Sequence, residues 1–171
     1  QCAKPMIVRA FPPLIGYYDL VVYIDSDTLV VSPRFSVLLD AMAAIGGVWV
    51  QQNYWVPVLF GNQANMGAEL DPAIFRMCPN LSVCSGIVGF GYDAFDALDR
   101  WRGLVEQHKF AYDDQALLHV VCAGYNDGRI YYIPKGDVWF PTHRTASPSI
   151  YHFTHQGKDE QAELTARLFP A

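Results

Sequence analysis

The stretch Val21-Val22-Tyr23-Ile24-Asp25-Ser26-Asp27-Thr28-Leu29-Val30 decides the reading of this chain. Four β-branched or aromatic residues make a short buried strand, and the strand ends abruptly in Asp25-Ser26-Asp27. Residues two apart on a strand point the same way, so both carboxylates emerge at its C-terminal edge. In open α/β sheets that edge is where ligands bind. Two adjacent carboxylates repel unless a cation lies between them, and hard oxygen ligands suit magnesium or manganese. The plainer alternative is a strand end carrying two solvated acids, and the rest of the chain has to decide between them.

Composition narrows the field. With 171 residues, of which 51% are apolar, the chain is read as one domain, 1–171, with ample material for a packed core. A net charge of −5 with only 12 Lys plus Arg argues against nucleic acid as a partner. The longest apolar stretch, Val37 to Val50, is interrupted by Asp40 and Gly46-Gly47, so no transmembrane segment is expected. The chain opens at Gln1, without a methionine, and is read as a fragment or a processed form. Cys2, Cys78, Cys84 and Cys122 form no CxxC pair, which makes a structural zinc site a poor fit. Cys84 and Cys122 sit in apolar patterns as buried thiols, a Cys78–Cys84 disulfide is the alternative, and thiols favour a reducing, cytoplasmic setting.

Along the chain, Met6 to Phe11 reads as a short element stopped by Pro12-Pro13. Ser32-Pro33 starts a helix with Phe35, Leu38, Leu39 and Met42 as its apolar stripe, and Gly46-Gly47 ends it. Val48-Trp49-Val50 is then a second buried strand, giving a parallel strand–helix–strand unit in which Val48–Val50 lies beside Val21–Ile24. From Gln52 to Leu81 the periodicity fails, apart from a short helix near Pro72 to Met77; the segment is either a substrate-facing loop or a surface excursion. Ser85 to Phe90 is a strand with glycines at both ends, and Tyr92 to Gln107 an amphipathic helix carrying Phe95, Leu98, Trp101, Leu104 and Val105 on one face. Asp113 caps a helix running to Ala123 before Gly124. Arg129–Ile133 and Ser149–Phe153 read as strands, and Asp159–Leu168 as a final helix.

The order of these motifs is specific. Asp25-Ser26-Asp27, Ser85-Gly86, Asp114-Gln115 and the late segment His152-Phe153-Thr154-His155-Gln156-Gly157-Lys158 together resemble the family 8 glycosyltransferases, the relatives of glycogenin and the lipopolysaccharide galactosyltransferases. The resemblance implies a GT-A-type fold: a mixed, mainly parallel α/β sheet flanked by helices. It implies a manganese (or magnesium) ion held by Asp25, Asp27 and His152 on the diphosphate of a nucleotide-sugar donor, a UDP-sugar. It places donor contacts on Arg9, Ser26, Ser85, Gly86 and Lys158, and catalytic roles on Asp114 and Gln115. Arg9 stands sixteen residues before Asp25, where the family carries a basic donor contact. The sequence departs from the family at Cys84 and His119, where asparagines are usual, at His155, where glycine is, and at Asp159-Glu160, which replaces Pro-Trp. Only 24 residues precede Asp25, so the family's nucleobase-holding unit is expected to be largely missing.

The chemistry is coherent on its own terms. A nucleoside diphosphate leaves with negative charge that a divalent metal and fixed cations such as Lys158 and Arg9 neutralise. Asp114 can accept hydrogen bonds from sugar hydroxyls, and the resemblance places Gln115 near the reacting face of the sugar. The expected function is transfer of a hexose to a hydroxyl of an unspecified carbohydrate, protein or lipid acceptor, with retention. The competing reading from another class is a non-catalytic or fragmentary module that binds metal or sugar nucleotide weakly. A haloacid-dehalogenase-like phosphatase also opens on a strand and an Asp-x-Asp, but needs one more residue before the threonine; here Thr28 follows Asp27 directly.

Overall fold

The computed structural model describes residues 4, 17–52, 83–108, 114–125, 128–140, 144–153 and 158–170. The elements are β1 (Leu20–Ile24), β2 (Thr28–Val30), α1 (Arg34–Ile45), β3 (Val48–Gln52), β4 (Val83–Gly91), α2 (Phe95–Gln107), α3 (Asp114–Gly124), β5 (Ile130–Tyr132), β6 (Val138–Trp139), β7 (Ile150–His152) and α4 (Lys158–Leu168). Short 3₁₀ turns at Tyr92–Ala94 and Lys135–Asp137 lead into α2 and β6. The Met6–Phe11 element, nearly all of the Gln52–Leu81 segment with its Pro72–Met77 helix, and Asp113 lie outside the described residues. Among the described residues, no helix is long and apolar enough to cross a membrane.

The main sheet has the strand order β1-β4-β3-β5, and a smaller one has the order β2-β7-β6. Both mix parallel and antiparallel neighbours: β1–β4, β4–β3 and β2–β7 are antiparallel, β3–β5 and β6–β7 parallel. The mixed α/β architecture is as expected, but two details are corrected. Val48–Val50 does not lie beside Val21–Ile24, because β4 is inserted between them and pairs with both. The two strands still run the same way, each antiparallel to β4, and the described pairings are more antiparallel than a mainly parallel sheet would have. The physical reason is that β4 is buried at every position and, Ser85 apart, carries an apolar side chain or a glycine to both faces, which suits the sheet centre.

Alternation distributes the core. Val48, Val50, Val88 and Phe90 face α2 and α3, where Leu98, Trp101, Val105, Leu117, Leu118 and Val121 cover them. Trp49 and Ile87 face the other way, onto Leu38 and Met42 of α1, onto Ile133 just after β5, and onto Val138 and Ile150 of the smaller sheet. Helices thus cover both faces, and each fully buried large side chain contributes about 1.5–3 kcal/mol. The α1–β3 turn needs glycine: Gly46 and Gly47 both have φ of 75°, which a side chain disfavours. The Asp93 carboxylate accepts the Gly47 N–H at 2.7 Å and ties this turn to the end of β4. The opposite end of the sheet, where β1 and β3 finish, is left for chemistry.

Candidate functional site

Two backbone arrangements bring the site together. At the end of β1 the Asp25 N–H donates to the Gly86 carbonyl at 2.8 Å, and the chain turns, with Thr28 N–H returning to the Asp25 carbonyl at 3.1 Å. The turn carries Ser26, exposed, and Asp27, half-buried. Strand β2 then pairs with β7 in the register Thr28↔His152, so His152 arrives beside Asp27. A further bond from the Phe153 N–H to the Asp27 carbonyl, at 3.0 Å, locks that register. One ligand atom each of Asp25, Asp27 and His152 lies within 4.8 Å of the others.

The imidazole of His152 is buried and held on three sides. Nδ1 is 2.7 Å from Oε1 of Gln51, and the Phe140 ring packs T-shaped against it at 5.3 Å between centroids. Gly86 forms the third wall: a Cβ there would come within 2.6 Å of both ring nitrogens. Nε2 faces the acids, 3.6 Å from Oδ1 of Asp27 and 3.9 Å from Oδ2 of Asp25, too far for hydrogen bonds. Burial lowers the His152 pKa below the usual imidazole value and Lys4 adds to this, with Asp27 and Asp25 opposing. Oδ1 of Asp27 is buried and has no hydrogen-bond partner among the described residues. Two carboxylates, one with an unsatisfied buried oxygen, and a neutral imidazole fit a divalent cation, and the nitrogen donor favours manganese over magnesium.

Beside this cluster lies a second group built on Ser85. Its backbone N–H donates to Oε1 of Gln115 at 3.3 Å, and its hydroxyl to Oδ1 of Asp114 at 3.3 Å. Asp114 opens α3, where the helix dipole favours a carboxylate. The core fixes its backbone, since the fully buried Trp101 donates its indole N–H to the Asp114 carbonyl at 2.9 Å. The pairing of β3 with β4 jumps from Val50↔Val88 to Gln51↔Cys84, so β4 bulges where Ser85 and Gly86 enter the site. Bulges of this kind re-aim side chains next to functional sites.

Lys4, which the sequence reading missed, joins the two groups. Its ammonium is 3.0 Å from Oδ1 of Asp25 and 3.2 Å from Oδ2 of Asp114, and it donates to the Ser85 hydroxyl at 3.0 Å. It also stands over the Tyr23 ring, 5.3 Å from the centroid. Burial disfavours its charge, but Asp114 and Asp25 outweigh burial and raise its pKa. Burial and a hydrogen bond to Asp25 push Tyr23 up to about 12. Three carboxylates (Asp25, Asp27 and Asp114) against one ammonium leave two negative charges, the complement of one divalent cation.

Of the other sequence-derived candidates, Arg9 lies outside the described residues and Lys158 is the first residue of α4. Cys84 and Cys122 are buried free thiols, and burial pushes Cys84 up to about 12, too high for a reactive thiolate at neutral pH. His119 is fully buried in α3, and burial lowers its pKa to about 4.

No protein-family model matches the sequence, and no curated protein matches it. Solved structures do. The galactosyltransferase LgtC, seen with donor and acceptor sugar analogues, superposes with a TM-score of 0.51 at 15% identity, over 92% of this chain and 64% of LgtC. Mouse xyloside xylosyltransferase 1 gives 0.51 at 7% identity, over 91% of this chain and 63% of that one. A glycosyltransferase involved in glycosylating the major capsid of PBCV-1 gives 0.59 at 12% identity, over 97% and 75%. The chain therefore spans less than two thirds of the LgtC and xylosyltransferase chains. At these identities the likeness is one of fold, and the fold is the GT-A type that these glycosyltransferases share.

Proposed function

We propose that this chain transfers a hexose from a nucleotide-sugar donor, a UDP-sugar, to a hydroxyl acceptor, with a manganese or magnesium ion held by Asp25, Asp27 and His152. The observation that carries this reading is the convergence of those three ligands next to a buried, oriented Asp114 and Gln115. When bound, the ion supplies Lewis-acid neutralisation of the diphosphate. The chain's own residues do the rest. Asp114, fixed by Lys4 and Ser85, is placed to accept hydrogen bonds from sugar hydroxyls. Gln115, held by the Ser85 N–H, faces the reacting side of the sugar. Lys158 and Arg9 supply fixed positive charge to the departing diphosphate.

The sugar carbon passes through an oxocarbenium-like state, for which the protein must position and shield more than bond. Both Asp25 and Asp114 are occupied by Lys4, and Asp27 belongs to the metal set, so neither cluster offers a carboxylate reserved as a nucleophile. A retaining transfer here would therefore run by same-face attack rather than through a covalent glycosyl-enzyme.

Titrating Mn²⁺ into wild type and Asp27→Ala tests the site, with binding expected only in the first. Equal binding in both overturns it. A panel of sugar nucleotides, assayed for binding, hydrolysis and transfer with Mn²⁺ present, then tests the activity. Metal binding without binding or turnover of any sugar nucleotide would assign the chain to the non-catalytic class instead.

A further inference from the structure

We infer that Gln51 is a positioning residue of this site: its side-chain oxygen holds the proton of His152 on Nδ1 and so presents the bare Nε2 lone pair to Asp25 and Asp27. The inference rests on the reading of these three residues as metal ligands.

A neutral imidazole carries one proton, and only the nitrogen without it can bind a metal. The structure limits what can decide the tautomer. Gly86 and Phe140 confine the ring, so it cannot exchange its two nitrogens by turning over. The deciding contact is the 2.7 Å one between Nδ1 and Oε1 of Gln51. Both side chains are nearly or wholly sealed, with Gln51 at 1% and His152 at 3% exposure, so water does not compete. A carboxamide oxygen only accepts, and Nδ1 must therefore donate. Nε2 is left without a proton, at 3.6 and 3.9 Å from the carboxylate oxygens.

The arrangement has a cost, since Nε2 of Gln51 is buried with no hydrogen-bond partner among the described residues. Turning the amide over would aim its N–H at Nδ1 and force the imidazole proton onto Nε2, against the acids. The two orientations thus predict opposite tautomers, which makes the assignment measurable. Metal-binding histidines commonly donate their second nitrogen to a carboxylate or carbonyl that fixes the ring. A carboxamide does so here without adding charge to a cluster that already holds three carboxylates.

The experiment uses metal-free protein labelled with ¹⁵N-histidine, the His152 resonances being assigned by comparison with His152→Ala. Wild type is expected to show the proton on Nδ1. Gln51→Met, of similar length but without the acceptor, should lose that signature and bind Mn²⁺ about 10–100-fold more weakly by electron paramagnetic resonance. Gln51→Glu, which keeps an acceptor, should restore the Nδ1–H form. If Gln51→Met does not fold, Gln51→Asn withdraws the acceptor by one methylene and should show the same losses. A wild-type proton on Nε2, or unchanged Mn²⁺ affinity in the folded Met or Asn variant, overturns the role of Gln51 alone. Absence of Mn²⁺ binding by wild type overturns the metal reading itself, and the role of Gln51 with it.

Discussion

Replacing Gly86 by alanine adds one methyl group where His152 already is. The new Cβ would stand 2.6 Å from both ring nitrogens and closer still to Cε1 between them, more than about 1 Å inside ordinary non-bonded contact. The ring has nowhere to retreat, with Gln51 bonded to one nitrogen and Phe140 packed T-shaped against it. Overpacking of this kind costs roughly 1–3 kcal/mol, which for a chain of this size lowers the melting temperature by roughly 3–10 °C. A double-mutant cycle isolates the clash. In a His152→Ala background the obstacle is gone, so Gly86→Ala should cost little there, leaving a coupling of about 1–3 kcal/mol. Urea unfolding of the four proteins measures this, and Mn²⁺ titration of wild type and Gly86→Ala should show weakened binding because the imidazole is displaced. Equal costs in both backgrounds, or an unchanged Mn²⁺ affinity, would refute the reasoning.

Lys4→Met removes the cation shared by Asp25 and Asp114; breaking a largely buried pair in this way should destabilise metal-free protein by roughly 2–4 kcal/mol. Mn²⁺ should then recover more stability in the variant than in wild type, read from melting temperatures with and without metal; a smaller shift counts against Lys4 as the neutralising charge. Asp114→Ala should spare binding of a free nucleoside diphosphate and weaken only the sugar-bearing donor, whereas Lys158→Ala should weaken both by about tenfold to a hundredfold; calorimetry showing the same pattern for both variants would reject separate roles. His119 is held near pKa 4 by burial against about 6.5 unfolded. With the folded value below the unfolded one, its contribution is present above pH 6.5 and is lost as pH falls towards 4. That loss is about 2–3 kcal/mol by pH 4.5, and His119→Gln should flatten that part of the pH dependence of urea unfolding.

Much of this molecule is legible in local pattern. The β-branched run before Asp25, the Leu98-Trp101-Val105 stripe of α2 and the glycine stop at Gly46-Gly47 each signal an element through spacing alone, and the structure has all three. What local pattern cannot give is which strand lies next to which. Val48–Val50 and Val21–Ile24 read as a parallel unit because a helix joins them, but the pairing energy of β4, apolar on both faces, is a long-range term. The Thr28↔His152 pairing spans only three residues on each strand, too few to announce itself. Asp25, Asp27 and His152 were grouped through the order of motifs that resembles the family 8 glycosyltransferases; taken alone, His152 between Tyr151 and Phe153 reads as a structural strand residue. Lys4 stands alone in sequence and acquires meaning only when folding sets it between two carboxylates. Gln51 left a fainter trace, as a polar side chain ending the apolar run Val48-Trp49-Val50.

The placement of β4 between β1 and β3 has a consequence for how the chain is made. Both flanking strands leave the ribosome before the strand that joins them, and the whole 53–82 stretch must follow before β4 appears. At about 5–20 residues per second, the interval from β3 to the end of β4 lasts roughly 2–8 s. Throughout it, two apolar strands display unpaired backbone edges. The slot between them also fits the β4 of a neighbouring nascent chain until its own arrives, so crowded synthesis raises the chance of strand exchange between copies. Slow elongation just after β3 would lengthen that exposure, and rapid elongation through residues 53–91 would shorten it.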